Sequence, residues 1–150
     1  MAITNIYDQL RRDEATVLHV YPDSRGFSTI GTGHNLDANP LPACVLDNFT
    51  AAEAAQVLVD DVARITARLL ADIPWLAQLQ ASDVVRFGVY QNLSFNMGAG
   101  GVMEFHHALA DAQAGNWVQC AADMRASLWY TQVGARAERL CTQMETGVWQ

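Results

Sequence analysis

What this chain lacks removes several classes of protein before any motif is read. It has no apolar run near the roughly 20 residues that a bilayer-spanning helix needs. The longest, such as Ile73 to Ala77, lie close to Arg68, Asp72 and Asp83. The first ten residues lack the basic start and apolar core of a secretory signal, so a cytosolic product without signal peptide or membrane anchor is expected. Cysteine is scarce: Cys44, Cys120 and Cys141 are odd in number, far apart, and form neither a C-x-x-C pair nor a metal-like spacing, so all three are expected to be reduced. Positive charge is also short. A net charge of -7 argues against nucleic acid and against stable association with an anionic membrane. Gly31-Thr-Gly33 lacks the third glycine and following lysine of a phosphate cradle. His106 and His107 are helix neighbours pointing roughly 100° apart, which disfavours a metal site. No metal or cofactor is expected.

What remains is ample for one compact domain. A chain of 150 residues, half of them apolar, can bury roughly two thirds of its unfolded surface without a disulfide or metal. Ile3, Ile6 and Leu10 lie on one stripe and predict a short helix over Ile3 to Arg12, ending near Asp13-Glu14. The period then changes. Val17 to Tyr21 and Phe27 to Gly31 read as two strands around the turn signal Pro22-Asp-Ser-Arg-Gly26. Asp37 to Phe49, with Asn39-Pro40 and Pro42, reads mostly as loop.

Thr50-Ala-Ala-Glu53 is a capping box opening a long helix. Leu58, Val62, Ile65 and Leu69 mark its apolar face, with Asp60, Asp61 and Arg64 elsewhere. Ser82 or Asp83 caps a helix that is apolar all round from Val84 to Met97, stopped by Gly98-Ala-Gly-Gly101. Further helices are expected over Val102 to Gln113, Trp117 to Arg125 and Val133 to Met144. Trp117, Trp129 and Trp149 read as packing residues. The whole is α+β, mostly α.

The best local constellation is Glu14, Asp23 and Thr29, spaced E-x8-D-x5-T across a helix end and a hairpin. Glycosidic cleavage takes two carboxyl groups, one protonated to serve the leaving oxygen and one ionised to activate water or attack. A carboxyl at the end of a core-packed helix can be desolvated and held as an acid, whereas one in a wet turn stays ionised. On spacing alone, Asp23 is more often a turn-capping aspartate and Glu14 a solvated helix-end charge.

The run Asp13-Glu14-Ala-Thr-Val-Leu-His-Val-Tyr21-Pro-Asp23-Ser-Arg-Gly26-Phe-Ser-Thr29-Ile-Gly31-Thr-Gly33-His34 resembles the catalytic segment of the T-even phage lysozyme family, the family-24 glycoside hydrolases. A second block, Phe95-Asn-Met97-Gly98 with Gly101-Val102 and Phe105, is similar to the end of that family's central helix. A third, from Ser127-Leu-Trp129-Tyr130 through Arg136-Ala-Glu-Arg139 to Thr146-Gly147-Val-Trp149, resembles its C-terminal part.

This resemblance implies a single two-lobed domain. A hairpin lobe over about 14–55 and a linking helix over about 50–71 would precede a helical lobe over 72–150 that includes the N-terminal helix, with saccharide bound between the lobes. It implies an inverting muramidase, an endolysin acting on peptidoglycan glycan strands, with Glu14 as general acid and Asp23 and Thr29 positioning water. Inversion requires carboxyl groups roughly 6.5–9.5 Å apart. Phe95, Asn35, Asn96 and Asp123 fall on or beside saccharide-binding positions; Asp123 is an acid where an amide is typical, and the phage prototype has an apolar residue at Asn35. Arg136 matches an arginine that pairs with the glutamate, and His34 is a supporting residue with Asp61 as candidate partner. Such an enzyme, expected to be monomeric, would be made in the host cytoplasm and reach periplasmic peptidoglycan after a separate holin opens the membrane.

Two departures stand out: the segment from Asn35 to Thr50 is shorter than in the prototype, and this chain is acidic where the prototype is basic. A lytic transglycosylase, a catalytically silent glycan-binding domain on the same fold and a toxin or tail-associated domain are the rival readings.

Overall fold

The computed structural model describes residues 2–150. It is 65% helical with one three-stranded antiparallel sheet, the α+β class the sequence predicts. The chain divides into two compact units, Tyr7–Arg64 and a second that joins the residues up to Ile6 with Ile65–Gln150.

In the first unit, helix α1 (Ile6–Glu14) begins three residues later than expected and ends on Glu14. Its exit is unusual: Ala15 has φ 58°, a left-handed conformation in a residue that carries a Cβ. Glycine normally fills this place, since the Cβ costs roughly 1–2 kcal/mol there. Glycine also raises the entropy of the unfolded chain, which offsets part of the gain. An Ala15→Gly variant is therefore expected to be more stable by about 0.5 kcal/mol, read as a small rise in the urea midpoint without a change in slope.

Strands β1 (Val17–Pro22) and β2 (Ser28–Gly31) pair antiparallel, with Tyr21 opposite Thr29 and Pro22 opposite Ser28. A third strand, β3 (His34–Asn35), joins β2 through Thr29 opposite Asn35 and Ile30 opposite His34. Two residues are too few to show an alternating pattern, so the sequence predicted only a two-stranded hairpin. Gly31 and Gly33, at φ 62° and 70°, reverse the chain between β2 and β3.

Most of residues 37–49 is turn or irregular backbone, as expected, but Ala43–Leu46 forms a single-turn helix, α2. Helix α3 (Ala51–Asp72) follows, opened by the expected capping box. The Thr50 amide donates to Glu53 at 2.6 Å, and the Glu53 amide donates to the Thr50 hydroxyl at 3.3 Å. Ile30, Phe49 and Ala54 form this unit's core, with Leu36, Leu41 and Val57 packed against it. Asp61, off the apolar stripe of α3, is nonetheless buried at 4% exposure.

The second unit is helical. Helix α4 (Leu76–Ser82) has no counterpart in the sequence reading, because its seven residues, close after Pro74, are too few to show a period. Asp83 rather than Ser82 caps α5 (Val84–Met103), accepting from the Arg86 amide at 3.0 Å. Residues 87–94 of α5 are buried without a break, as its all-round apolarity requires. Gly98, at φ 79° and ψ 162°, breaks the helical path as expected, yet helix resumes through Met103 instead of stopping.

Helix α6 (His106–Gln113) consequently starts four residues later than predicted, whereas α7 (Trp117–Arg125) matches its predicted bounds. Where one helix was expected over Val133 to Met144, Gly134, at φ 72°, separates α9 (Ala135–Thr146) from α8 (Leu128–Val133), which the sequence did not predict. Leu69, Phe87, Leu93, Met124 and Leu140 belong to the core these helices enclose, along with buried Cys120 and Cys141. All three cysteines are free thiols. Gly88 admits the Trp149 ring, which a Cβ there would strike, consistent with Trp149 as a packing residue.

Candidate active site

Glu14, Asp23 and Thr29 all lie in the unit of residues 7–64. Glu14 is the last residue of α1 and is half-buried. Asp23 is built into the turn between β1 and β2. Its Oδ1 accepts the amides of Arg25 at 2.8 Å and Phe27 at 2.9 Å, and its own amide donates to the Phe27 carbonyl at 2.9 Å. The Phe27 amide, then the amides of Arg25 and Gly26 and the Arg25 charge, hold this carboxyl below its usual range, so it is ionised at neutral pH. Among the described residues, Oδ2 has an ion-pair contact with Arg25 Nε, at 3.8 Å, and remains available as an acceptor.

Thr29 is buried on β2, and its hydroxyl donates to the Phe27 carbonyl at 2.9 Å. That bond commits the proton and leaves the Oγ1 lone pairs to accept. The turn-capping role of Asp23 and an acceptor role for Oδ2 are therefore compatible, because they use different oxygens.

Tyr21 ties the three together, and the sequence reading passed it over. It stands opposite Thr29 in the sheet, and its phenol is pushed up by burial and then by the charges of Glu14 and Asp23. Both carboxylates therefore act on one phenol, which stays a neutral donor at physiological pH. Its signal in the sequence is only that i and i+2 of the motif share a strand face.

His34, on β3, has the partner expected of it. Its Nδ1 is 2.8 Å from Asp61 Oδ2 and its Nε2 is 2.8 Å from the Asn39 carbonyl, while Arg64 meets Asp61 Oδ1 at 2.7 Å. Both ring nitrogens face acceptors, so only the imidazolium serves both. Hydrogen bonding to Asp61 raises the His34 pKa, against the effect of burial. Asn35, beside it, uses its side-chain oxygen to accept the amides of Asp37 at 2.9 Å and Ala38 at 3.0 Å, fixing the turn after β3.

The remaining candidates belong to the second unit. Phe95 and Asn96 lie on α5, half-buried, with Asn96 Oδ1 accepting from the Trp129 indole at 3.3 Å. Asp123 on α7 accepts from Gln119 at 2.9 Å. Arg136 on α9 donates through Nε to Asn92 Oδ1 at 2.9 Å. Asn92, fully buried one turn before Asn96, was not singled out from sequence because a polar residue inside an apolar helix carries no label of its partner. Among the described residues no group of three His, Cys, Asp or Glu side chains is placed to hold a metal, and no helix is long and apolar enough to cross a membrane.

Residues 11–144 match the sequence model of the phage lysozyme family. The chain belongs to that family. It is accordingly a lysozyme-like, peptidoglycan-degrading hydrolase. Among similar proteins, the pre-baseplate central spike protein Gp5 of Enterobacteria phage T4 is 31% identical over 93% of this chain and 27% of its own length. Two Dictyostelium discoideum proteins, "Probable T4-type lysozyme 1" and "Probable T4-type lysozyme 2", are each 25% identical over 97% of this chain and 96% of their own length. The chain thus spans about a quarter of the spike protein and nearly all of the two lysozymes.

Proposed function

We propose that this member of the phage lysozyme family is an endolysin-type muramidase, hydrolysing β-1,4 bonds between N-acetylmuramic acid and N-acetylglucosamine with inversion. Glu14 protonates the leaving oxygen. Asp23 Oδ2 and Thr29 Oγ1 each accept a hydrogen bond from the attacking water, which orients its lone pair toward the anomeric carbon, and Asp23 takes the one proton that the water loses on attack. The observation that supports this most is the division of Asp23 into one oxygen held by the turn and one left open, beside a threonine hydroxyl whose proton is already committed. A transglycosylase needs no such water-holding pair. Incubation with purified peptidoglycan is expected to release reducing ends, with the α-anomer formed first; anhydro-sugar products would overturn the hydrolytic reading, and a β-anomer would overturn inversion.

Phe95, Asn35, Asn96 and Asp123 are proposed saccharide contacts, and Arg136 supports Glu14. An Arg136→Ala enzyme is expected to show an alkaline limb displaced to higher pH in its pH–rate profile, since a cation beside the general acid lowers its pKa; an unaltered profile refutes the pairing. The acidic surface bears on substrate attraction. Peptidoglycan is itself anionic, so moderate salt screens like-charge repulsion, and lysis is expected to hold or rise as salt is added. A steep loss with salt contradicts this.

A monomer released through a holin onto periplasmic peptidoglycan is the proposed setting. The spike-protein match favours a second one, in which this domain opens the wall from a tail-associated assembly.

A further inference from the structure

Two tryptophans of the second unit, Trp75 and Trp117, line one cavity of about 300 Å³ between α4 and the turn that joins α6 to α7. That volume stands at the lower end of the span of small-molecule sites and suits one pyranose ring with a substituent. Each indole has its own support. Trp75 meets buried Tyr90 edge to face, with centroids 6.2 Å apart at 85°. Arg86 covers one face of Trp117, 4.6 Å from the centroid, and is itself fixed by Asp83 Oδ2 at 2.6 Å and the Met144 carbonyl at 2.6 Å. Both rings are thus in place before a ligand arrives, so binding need not order them first.

The polar groups around the rings are uncommitted. Neither indole N–H and neither side-chain amide of Gln78 or Gln113 makes a hydrogen bond among the described residues, and both glutamines are exposed. Ser82 donates to the Gln78 carbonyl at 2.8 Å, which leaves its oxygen to accept. Buried Leu79 adds an apolar wall. No ionisable side chain lines the cavity, so it offers no charge to a phosphate, a carboxylate or an ammonium. What it does offer is flat aromatic surface beside free donors and acceptors. A neutral ring with apolar C–H faces, hydroxyls at its edge and an acetamide group matches all of these. Its faces lie on the indoles, its hydroxyls and amide meet the glutamines and Ser82, and its acetyl methyl meets Leu79.

We propose that this cavity is a second, non-catalytic saccharide site, which takes one N-acetylhexosamine unit of a glycan strand against Trp75 and Trp117 and holds the chain on the wall between cuts. It shares no residue with the site assigned to cleavage. The proposal rests on the reading of this chain as a hydrolase of glycan strands, yet the two fail separately: lysis by Glu14→Gln tests the chemistry, and binding at Trp75 and Trp117 tests this site.

The test titrates the full chain with tri-N-acetylchitotriose, cellotriose and indole, and follows the indole N–H NMR shifts of Trp75 and Trp117. Tri-N-acetylchitotriose is expected to give saturable shifts at both, and the other two probes to bind there more weakly. A net hydrogen bond contributes about two- to tenfold in affinity, so Gln78→Ala and Gln113→Ala, at exposed positions that leave the fold intact, are each expected to weaken binding by that factor. Trp75→Phe keeps a ring against Tyr90 but removes the N–H, and is expected to weaken binding read at Trp117. These variants are also expected to lose activity on whole sacculi while keeping it on soluble glycan fragments. Absent saturation, undiminished binding by both glutamine variants, or equal loss on the two substrates overturns the proposal. Equal binding of cellotriose overturns the assignment to an N-acetylhexosamine, and tighter binding of indole overturns a saccharide in favour of an aromatic guest.

Discussion

Glu14→Gln is expected to reduce cell-wall lysis by about 10²–10⁴-fold, the usual contribution of a positioned general acid, while thermal stability stays close to that of the parent. The amide fills the same space at the end of α1 but has no proton to give to a leaving oxygen. Asp23→Asn tests the other half of the reaction by a different route. Asn retains a side-chain oxygen able to accept the Arg25 and Phe27 amides, so the turn survives, and what disappears is the charge at Oδ2. A loss of similar size is expected for that variant, with circular dichroism and melting temperature showing that both proteins remain folded. Full lysis by both variants would sink the assignment. Because Asp23 is held ionised by backbone amides, the wild-type activity is also expected to persist well below neutral pH before water activation fails.

The largest stability effect is expected at the His34–Asp61 pair. Both side chains are nearly inaccessible, at 5% and 6% exposure, and they meet at 2.8 Å. Removing one partner of a buried pair strands the other, typically at a cost of about 3–5 kcal/mol. Asp61→Asn is therefore expected to lower the melting temperature by roughly 10 °C for a chain of this size. The pH dependence follows from the direction of the His34 shift. Its pKa is raised by the hydrogen bond to Asp61, so the folded protein holds the proton more tightly than the unfolded chain. The resulting stability is fully present below about pH 6.5, the unfolded value, and is lost as pH rises through the folded value, where Nε2 can no longer donate to Asn39. In Asp61→Asn this slope is expected to flatten. An Asp61→Asn variant that melts with the parent, or keeps its alkaline slope, contradicts the account.

Much of the local structure was legible because it rests on interactions between near neighbours. The capping box at Thr50 and Glu53, the bounds of α7 and the uninterrupted burial of α5 follow from spacing alone. The errors fall where the signal is short or the outcome is set elsewhere in the fold. The two residues of β3, the single turn of α2 and the short α4 and α8 carry too few positions to show a period. Gly98 read as the end of a helix that in fact continues, and Gly134 fell inside a predicted helix yet separates two, because the neighbouring packing decides whether the backbone resumes its path.

The site divides the same way. By itself, the sequence determined the class of fold and the family and put forward Glu14, Asp23, Thr29 and His34 as candidates, since these are carried by residue types at fixed spacing along a contiguous segment. Only the tertiary structure decided how they are used. It split the Asp23 carboxylate into a turn acceptor and an open oxygen, brought Tyr21 under the influence of both carboxylates, and buried Asp61 against His34 across 27 positions of chain. A hydrogen bond depends on the position of its partner in space to within a few tenths of an ångström, and linear spacing does not encode that.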